Sequence, residues 1–211
     1  MIKGVLFDFW GTLVEQGTYS TLVQSYRLLR PRMAFSPFVV KFEETIMKKK
    51  FEDQKEGFEA ICKAFDVDAT PFLLDQLIGI WNKNKLLAKP YPETVEILKE
   101  LKAKGLKLAL VSNSIHGAIE AVMEKFDLAQ YFDGVYISSE IGLLKQEPEC
   151  FKKVLKDLKL KKTDVLMVGD SLQTDIAGAE AVGIKPILID RREKREYENK
   201  IKTLKELDKY L

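Results

Sequence analysis

Apolar positions along the chain follow two rhythms. Short, mostly apolar runs at 2–7, 106–111, 135–137, 165–168 and 186–189, rich in aliphatic and β-branched residues, read as buried strands. Between them, 92–104, 148–158 and 174–182 carry helical patterns. In the first, Pro92 opens the segment, Val95, Leu98 and Leu101 share one face, and Gly105 stands where a C-cap belongs; Gly183 closes the last in the same way. Strands alternating with helices imply a parallel sheet covered on both faces, a doubly wound α/β core. Ligands bind such sheets beyond the carboxyl ends of the strands, where Asp8, Ser112 and Asp170 fall.

Residues 15–88 break that alternation with four helical stripes and no strand. The first is Leu22, Tyr26 and Leu29, stopped by Pro31. The second is Phe35, Phe38, Val39, Phe42 and Ile46, the third Phe58, Ile61, Cys62 and Phe65, and the fourth Leu73, Leu77, Ile80 and Trp81. The expected organisation is a core domain from 1–14 and 89–211 interrupted by an all-helical cap domain at 15–88. The aromatic stripes are expected to form the insertion's own core. The charged stretch 191–200 is expected to be a solvated segment before a short terminal helix, and Ser112-Asn113-Ser114 to cap the helix that follows it, with His116 one turn in.

Composition adds exclusions. Of 211 residues, 46% are hydrophobic and 31% charged, which favours a packed core over disorder. A formal net charge of +2 gives no footprint for nucleic acid or an anionic membrane, and no apolar run is long enough to span a bilayer. Two distant cysteines, Cys62 and Cys150, form neither a metal motif nor a disulfide framework, so a cytoplasmic setting is expected. The lone His116 argues against histidine-rich zinc sites and histidine triads. Oligomeric state is not legible; a monomer is compatible with the pattern.

The chemistry lies in four short pieces: Asp8-Phe9-Trp10-Gly11-Thr12, Ser112-Asn113, Lys145, and Gly169-Asp170-Ser171 with Asp175 following. Each alone has an ordinary reading: a turn-capping Asp, helix N-caps, a surface lysine. Together they suit one reaction. A carboxylate such as Asp8 is ionised at neutral pH and attacks without a base. Three acids at neighbouring strand ends repel unless a cation lies between them, and hard oxygen donors suit Mg²⁺. The Trp10 backbone carbonyl can add a ligand whatever its side chain. Lys145, Ser112, Asn113 and backbone amides around Gly11 and Thr12 can neutralise a phosphate.

On these residues the chain resembles the haloacid dehalogenase superfamily. That family's pattern is a nucleophilic Asp with Gly-Thr three and four residues on, a Ser or Thr, a Lys, and a Gly-Asp with a further acid. Residues 1–14 and 90–211 carry the match, and the helical insertion sits where the family places its cap. The resemblance implies a Rossmann-like core and a Mg²⁺-dependent phosphatase acting on a small phosphate ester through an aspartyl-phosphate on Asp8. Asp8, the Trp10 carbonyl, Asp170 and Asp175 would hold the metal. The departure is Trp10. Phosphatases of this family usually have Asp there, as acid and base, whereas its dehalogenases commonly have an aromatic residue and use no metal. The retained Asp170 and Asp175 favour phosphoryl transfer. A metal-independent 2-haloacid dehalogenase, and a phosphate-binding protein weakened in turnover, remain as alternatives. Without an acid at position 10, aryl and acyl phosphates should outpace alkyl ones, because general acid–base help is typically worth about 10²–10⁴-fold.

Overall fold

The computed structural model describes all 211 residues. Its elements in chain order are β1 (Gly4–Phe7), β2 (Val14–Glu15), α1 (Thr21–Leu29), α2 (Phe35–Ile46), α3 (Gln54–Ala64), α4 (Pro71–Leu87), β3 (Lys89–Pro90), α5 (Thr94–Ala103), β4 (Lys107–Ser112), α6 (Ala118–Lys125), β5 (Gly134–Ile137), α7 (Ser138–Ile141), α8 (Pro148–Leu158), β6 (Val165–Gly169), α9 (Ala177–Val182), β7 (Lys185–Ile189) and β8 (Lys200–Ile201). A 3₁₀ turn over Leu204–Tyr210 ends the chain.

Six strands form one parallel sheet in the order β5-β4-β1-β6-β7-β8. Its central strands are apolar at every position because both faces are covered. Val5, Phe7, Leu108, Leu110, Leu166 and Val168 face α5, α6 and the terminal turn, while Leu6, Ala109, Val111 and Met167 face α8 and α9. Phe7 is level with Leu110 on one side and Val168 on the other, so Asp8 emerges at the centre of the carboxyl edge.

The helices α1–α4 build their own cluster around Phe38, Phe42, Phe58, Ile61 and Leu77, all fully buried. Burying each such side chain contributes roughly 1.5–3 kcal/mol. The cluster extends onto Ile115, Ala118 and Leu144, so the helices lie over the carboxyl edge. Both chain crossings run through a two-residue antiparallel ladder, Val14 opposite Pro90 and Glu15 opposite Lys89, too short to leave a period-two signal. No helix is long and apolar enough to cross a membrane.

Four local expectations are corrected. Ser112, Asn113 and Ser114 cap no helix: α6 starts only at Ala118, after Gly117 with φ +74, so His116 precedes it and is exposed. The intervening loop is held instead by the Ser114 N–H donating to Ser138 Oγ at 3.0 Å. Residues 191–200 are not simply solvated, because Arg191 and Arg195 are half-buried against the site and β8 begins at Lys200. The segment expected to be helical from Thr174 opens with a π-helical turn over Leu172–Ile176, and the terminal helix is 3₁₀.

Candidate active site

Asp8 leaves β1 into a turn that Gly11 completes at φ +78. Asp8 is buried, and its carboxylate is held from three elements. Oδ1 accepts from Lys145 Nζ at 2.6 Å and Ser112 Oγ at 3.0 Å; Oδ2 accepts from Thr12 Oγ1 at 3.4 Å. Lys145 precedes α8 and is itself buried, with its ammonium also paired to Asp175. Burial alone would push its pKa down, but the carboxylates of Asp175 and Asp8 overcome that and hold it above the ordinary lysine value.

The loop around Trp10 is selective about which backbone groups it leaves open. The Phe9 carbonyl accepts from the Leu13 and Val14 amides, the Val14 carbonyl from Gly11, and the Leu13 carbonyl from Tyr91. Arg191 takes the next two, donating from Nε to Gly11 O at 3.3 Å and from Nη2 to Thr12 O at 2.7 Å. Between Phe9 and Val14 only the Trp10 carbonyl accepts nothing from the protein, as a carbonyl reserved for a cation would. The Gly11 amide is spent, whereas the amides of Phe9, Trp10 and Asn113 donate to no protein acceptor and are free for an anion.

Asp170 and Asp175 complete the acids. Carboxylate oxygens of Asp8, Asp170 and Asp175 lie within 4.8 Å of one another. The π-helical turn after Ser171 swings the Asp175 carboxylate back, so that Oδ2 accepts the Ser171 N–H at 3.0 Å. Burial, with the charge of Asp8, raises the pKa of both Asp170 and Asp175. The buried Asp8 and Asp175 share the one buried lysine and the half-buried Asp170 has no ion pair with it, so the donor set is short of positive charge. Hard oxygens, a free carbonyl and that deficit together fit a divalent cation such as Mg²⁺.

The Asn113 side chain is committed elsewhere. Its Oδ1 accepts the Lys145 N–H at 2.9 Å, and its Nδ2 donates to Glu43 at 3.2 Å and Gln146 at 3.0 Å. Arg27, Arg30 and Arg32 are exposed and do not line the cavity above Asp8. That cavity measures about 580 Å³ and is walled by the strand-end residues below and by α1, α2 and α4 above. The Trp10 ring, half-buried and edge-on to Phe9 at 5.0 Å, packs against both the sheet cluster and the helical cluster.

Several contributors had no motif to announce them. Glu43, on α2, is buried over the site. Its signal was an acid on an apolar helix face, four residues after Val39 and three before Ile46. Arg191 also pairs with Glu93 at 2.7 Å and lies over the Tyr91 ring at 3.4 Å, and Arg195 donates to the carbonyl of Asp170. Both were hidden in a run of charge.

A parallel sheet with Asp8 at its central carboxyl edge, Lys145 in contact with it and two further acids alongside defines a hydrolase site of a particular class. The chain belongs to the haloacid dehalogenase-like hydrolases, whose family pattern matches residues 2–183. The glyceraldehyde 3-phosphate phosphatase of Methanocaldococcus jannaschii is 31% identical over 196 residues, covering 90% of this chain and 85% of that protein. A HAD phosphatase from Thermococcus onnurineus superposes with a TM-score of 0.67 at 25% identity, covering 99% of this chain and 97% of that one. L-2-haloacid dehalogenase from Xanthobacter autotrophicus shares the fold, with a TM-score of 0.68 at 20% identity over 99% of this chain and 98% of that one. The relatives spanning most of the chain carry phosphatase names, which supports phosphatase activity.

Proposed function

We propose that the protein is a Mg²⁺-dependent phosphatase of small phosphate monoesters, working through an aspartyl-phosphate on Asp8. The observation that carries this reading is the cluster of Asp8, Asp170 and Asp175 within 4.8 Å, together with an unpartnered carbonyl at Trp10, two residues after Asp8. These four residues would hold the metal, with Asp175 either a direct ligand or the orienter of a bound water. When bound, Mg²⁺ offsets the carboxylate charge and polarises the phosphoryl group.

The chain's own residues do the rest. Asp8 Oδ attacks phosphorus in line while the ester oxygen departs. Lys145 keeps Asp8 oriented and, as the bond forms, offers its charge to the phosphoryl oxygens. Ser112 Oγ and the free amides of Phe9, Trp10 and Asn113 donate to the same oxygens. Water then attacks the aspartyl-phosphate and restores Asp8.

Helices α1–α4, residues 15–88, act as a cap that closes the cavity and chooses the substrate. The cavity volume suits a metabolite-sized ester, and glyceraldehyde 3-phosphate, acted on by the archaeal relative, is the first to try. Cys62 and Cys150, both buried and free, fit a reducing cytoplasmic setting. One observation, the aromatic Trp10, favours the dehalogenase reading, but the intact acid cluster has no use in that reaction. The deciding assay is phosphate release from p-nitrophenyl phosphate. Release that needs Mg²⁺, stops with EDTA and is lost in Asp8→Asn is expected. Halide release from a 2-haloacid in EDTA would select the dehalogenase instead.

A further inference from the structure

We propose that Glu43, carried by α2 over the strand ends, is the general acid and base of this active site. The inference rests on the phosphatase reading with Asp8 as nucleophile. The residues around Asp8 need such a group and do not hold one. Phe9, Trp10, Gly11 and Leu13 cannot exchange a proton at neutral pH, and Thr12 Oγ1 already donates to Asp8. Of the ionisable side chains lining the cavity, Asp8 is the nucleophile, Asp170 and Asp175 are the metal acids, and Lys145 is clamped between carboxylates. Lys85, on α4, makes no hydrogen bond or ion pair to the set. Glu43 remains.

Its geometry is that of a held carboxyl group with one oxygen free. Oε2 accepts from Asn113 Nδ2 at 3.2 Å and from Gln146 Nε2 at 3.2 Å. Asn113 follows Ser112 and Gln146 follows Lys145, the two residues whose side chains touch Asp8 Oδ1. Glu43 is thus fixed one residue away from both contacts, on the side opposite the sheet. Oε1 has no protein partner, although the residue is only 8% exposed and lines the cavity. Two carboxamide donors bind one oxygen and leave the other free to carry a proton in the cavity wall. Burial pushes the Glu43 carboxyl above the usual range; Gln146, Lys145 and Asn113 oppose this and Asp8 reinforces it. Lys145 and Asp8 are the charged groups facing it.

The proton balance closes. As Asp8 Oδ bonds to phosphorus, the P–O ester bond breaks and its electron pair goes to the ester oxygen, which takes the proton from Glu43 Oε1. In the second half-reaction a water oxygen attacks phosphorus, its proton returns to Glu43, and the Asp8–phosphorus bond breaks. On this basis alkyl esters are not disfavoured, and the wedge at Trp10 costs no acid.

The test is Glu43→Gln, which preserves the shape and an acceptor for both carboxamides but cannot supply a proton. Single-turnover phosphorylation of Asp8 is followed with p-nitrophenyl phosphate, whose leaving group needs no proton, and with an alkyl phosphate. The expected result is a loss of about 10²–10⁴-fold with the alkyl ester, a far smaller loss in the nitrophenolate burst, and phosphoprotein accumulating in intact-mass spectra because water attack also lacks its base. Equal losses for both esters, or no loss for either, overturn the proposal. Should the variant fail to fold, the wild-type pH profile reads the same proton. A high-pH fall in kcat/KM is expected for the alkyl ester only, and parallel profiles overturn the proposal. A wild-type protein that gives no nitrophenolate burst with Mg²⁺ instead refutes the phosphatase reading itself.

Discussion

Replacing Lys145 by Met should destabilise the protein strongly, and the size of the effect can be worked from its surroundings. The ammonium lies 2.6 Å from Asp8 Oδ1 and against Asp175, with its side chain 4% exposed. Removing one member of a buried ion pair leaves an uncompensated buried charge and costs about 3–5 kcal/mol. For a chain of this length that corresponds to a fall in Tm of roughly 6–20 °C. The deficit should depend on pH with a definite sign. In the wild type, Lys145 stays charged across the neutral range because its carboxylate partners raise its pKa. In the variant, Asp175, whose pKa burial already raises, loses the lysine that opposes that rise and holds its proton to higher pH than in the unfolded chain. The folded state then binds more protons than the unfolded state, so its stability grows as pH falls. The gap between variant and wild type should therefore be widest near pH 8 and narrow toward pH 5.5. Mg²⁺ should close part of it at pH 8 by supplying positive charge to the same oxygens. Thermal melts at both pH values, with EDTA and with Mg²⁺, read all of this. A Lys145→Met protein as stable as the wild type at pH 8 in EDTA would show that the charge balance drawn here is wrong.

Other sites give sharper, smaller tests. Asp170→Asn should not lower Tm in EDTA, since one of three repelling acids is gone, yet it should lose most of the stabilisation by Mg²⁺, about 2.7 kcal/mol at a hundred times Kd in the wild type; an undiminished Mg²⁺ shift would remove Asp170 from the metal set. Gly178→Ala reverses the usual helix rule: a Cβ there would overlap the Lys145 carbonyl and press on Phe151, so a loss of about 1–3 kcal/mol is expected rather than the gain of about 1 kcal/mol that Ala normally brings. Burial pushes the Cys150 thiol up to about 12 and raises Cys62 as well, so Ellman's reagent should find no thiol in the native protein and both after denaturation; a fast native thiol would contradict the packing around one of them.

The strands were legible because a doubly buried strand is a short, mostly apolar run, and its length and flanking turn residues separate it from a buried helix. The helical stripes were legible for the complementary reason, and Phe38, Phe42 and Phe58 lie where the periodicity put them. The ordering of the four motifs brought Asp8, Ser112, Lys145 and Asp175 to one edge, and side-chain contacts join all four. What escaped was set by tertiary context. A two-residue ladder has no period to detect. Gly117 in the left-handed region delays α6 in a way that a run of Ser and Asn conceals, and the π-helical turn over Leu172–Ile176 sits inside a pattern that reads as helical. Arg191 and Arg195 carry the composition of a solvated loop, and only the fold supplies the bare carbonyls of Gly11, Thr12 and Asp170 that they bind.

Trp10 and Glu43 make sense as a pair. The loop after Asp8 contributes two separable things to a phosphoryl-transfer site, a backbone carbonyl and whatever the side chain adds. The carbonyl survives any substitution that keeps the turn, and here it is the one left without a partner from Phe9 to Val14. The side chain has gone over to packing, its ring wedged between the sheet and the helices. If Glu43 supplies the proton, the acid reaches the site only while α2 lies over the strand ends, with Asn113 and Gln146 holding it there. Trp10 packs at the same junction, its half-buried ring against both clusters. On that proposal the proton comes from the helical insertion rather than from the loop after Asp8, so its transfer depends on α2 staying over the strand ends. A substrate that holds the helices down is then turned over faster for a reason separate from its affinity, and ring-trimming at Trp10 should slow alkyl esters more than nitrophenyl phosphate even though the indole itself transfers no proton.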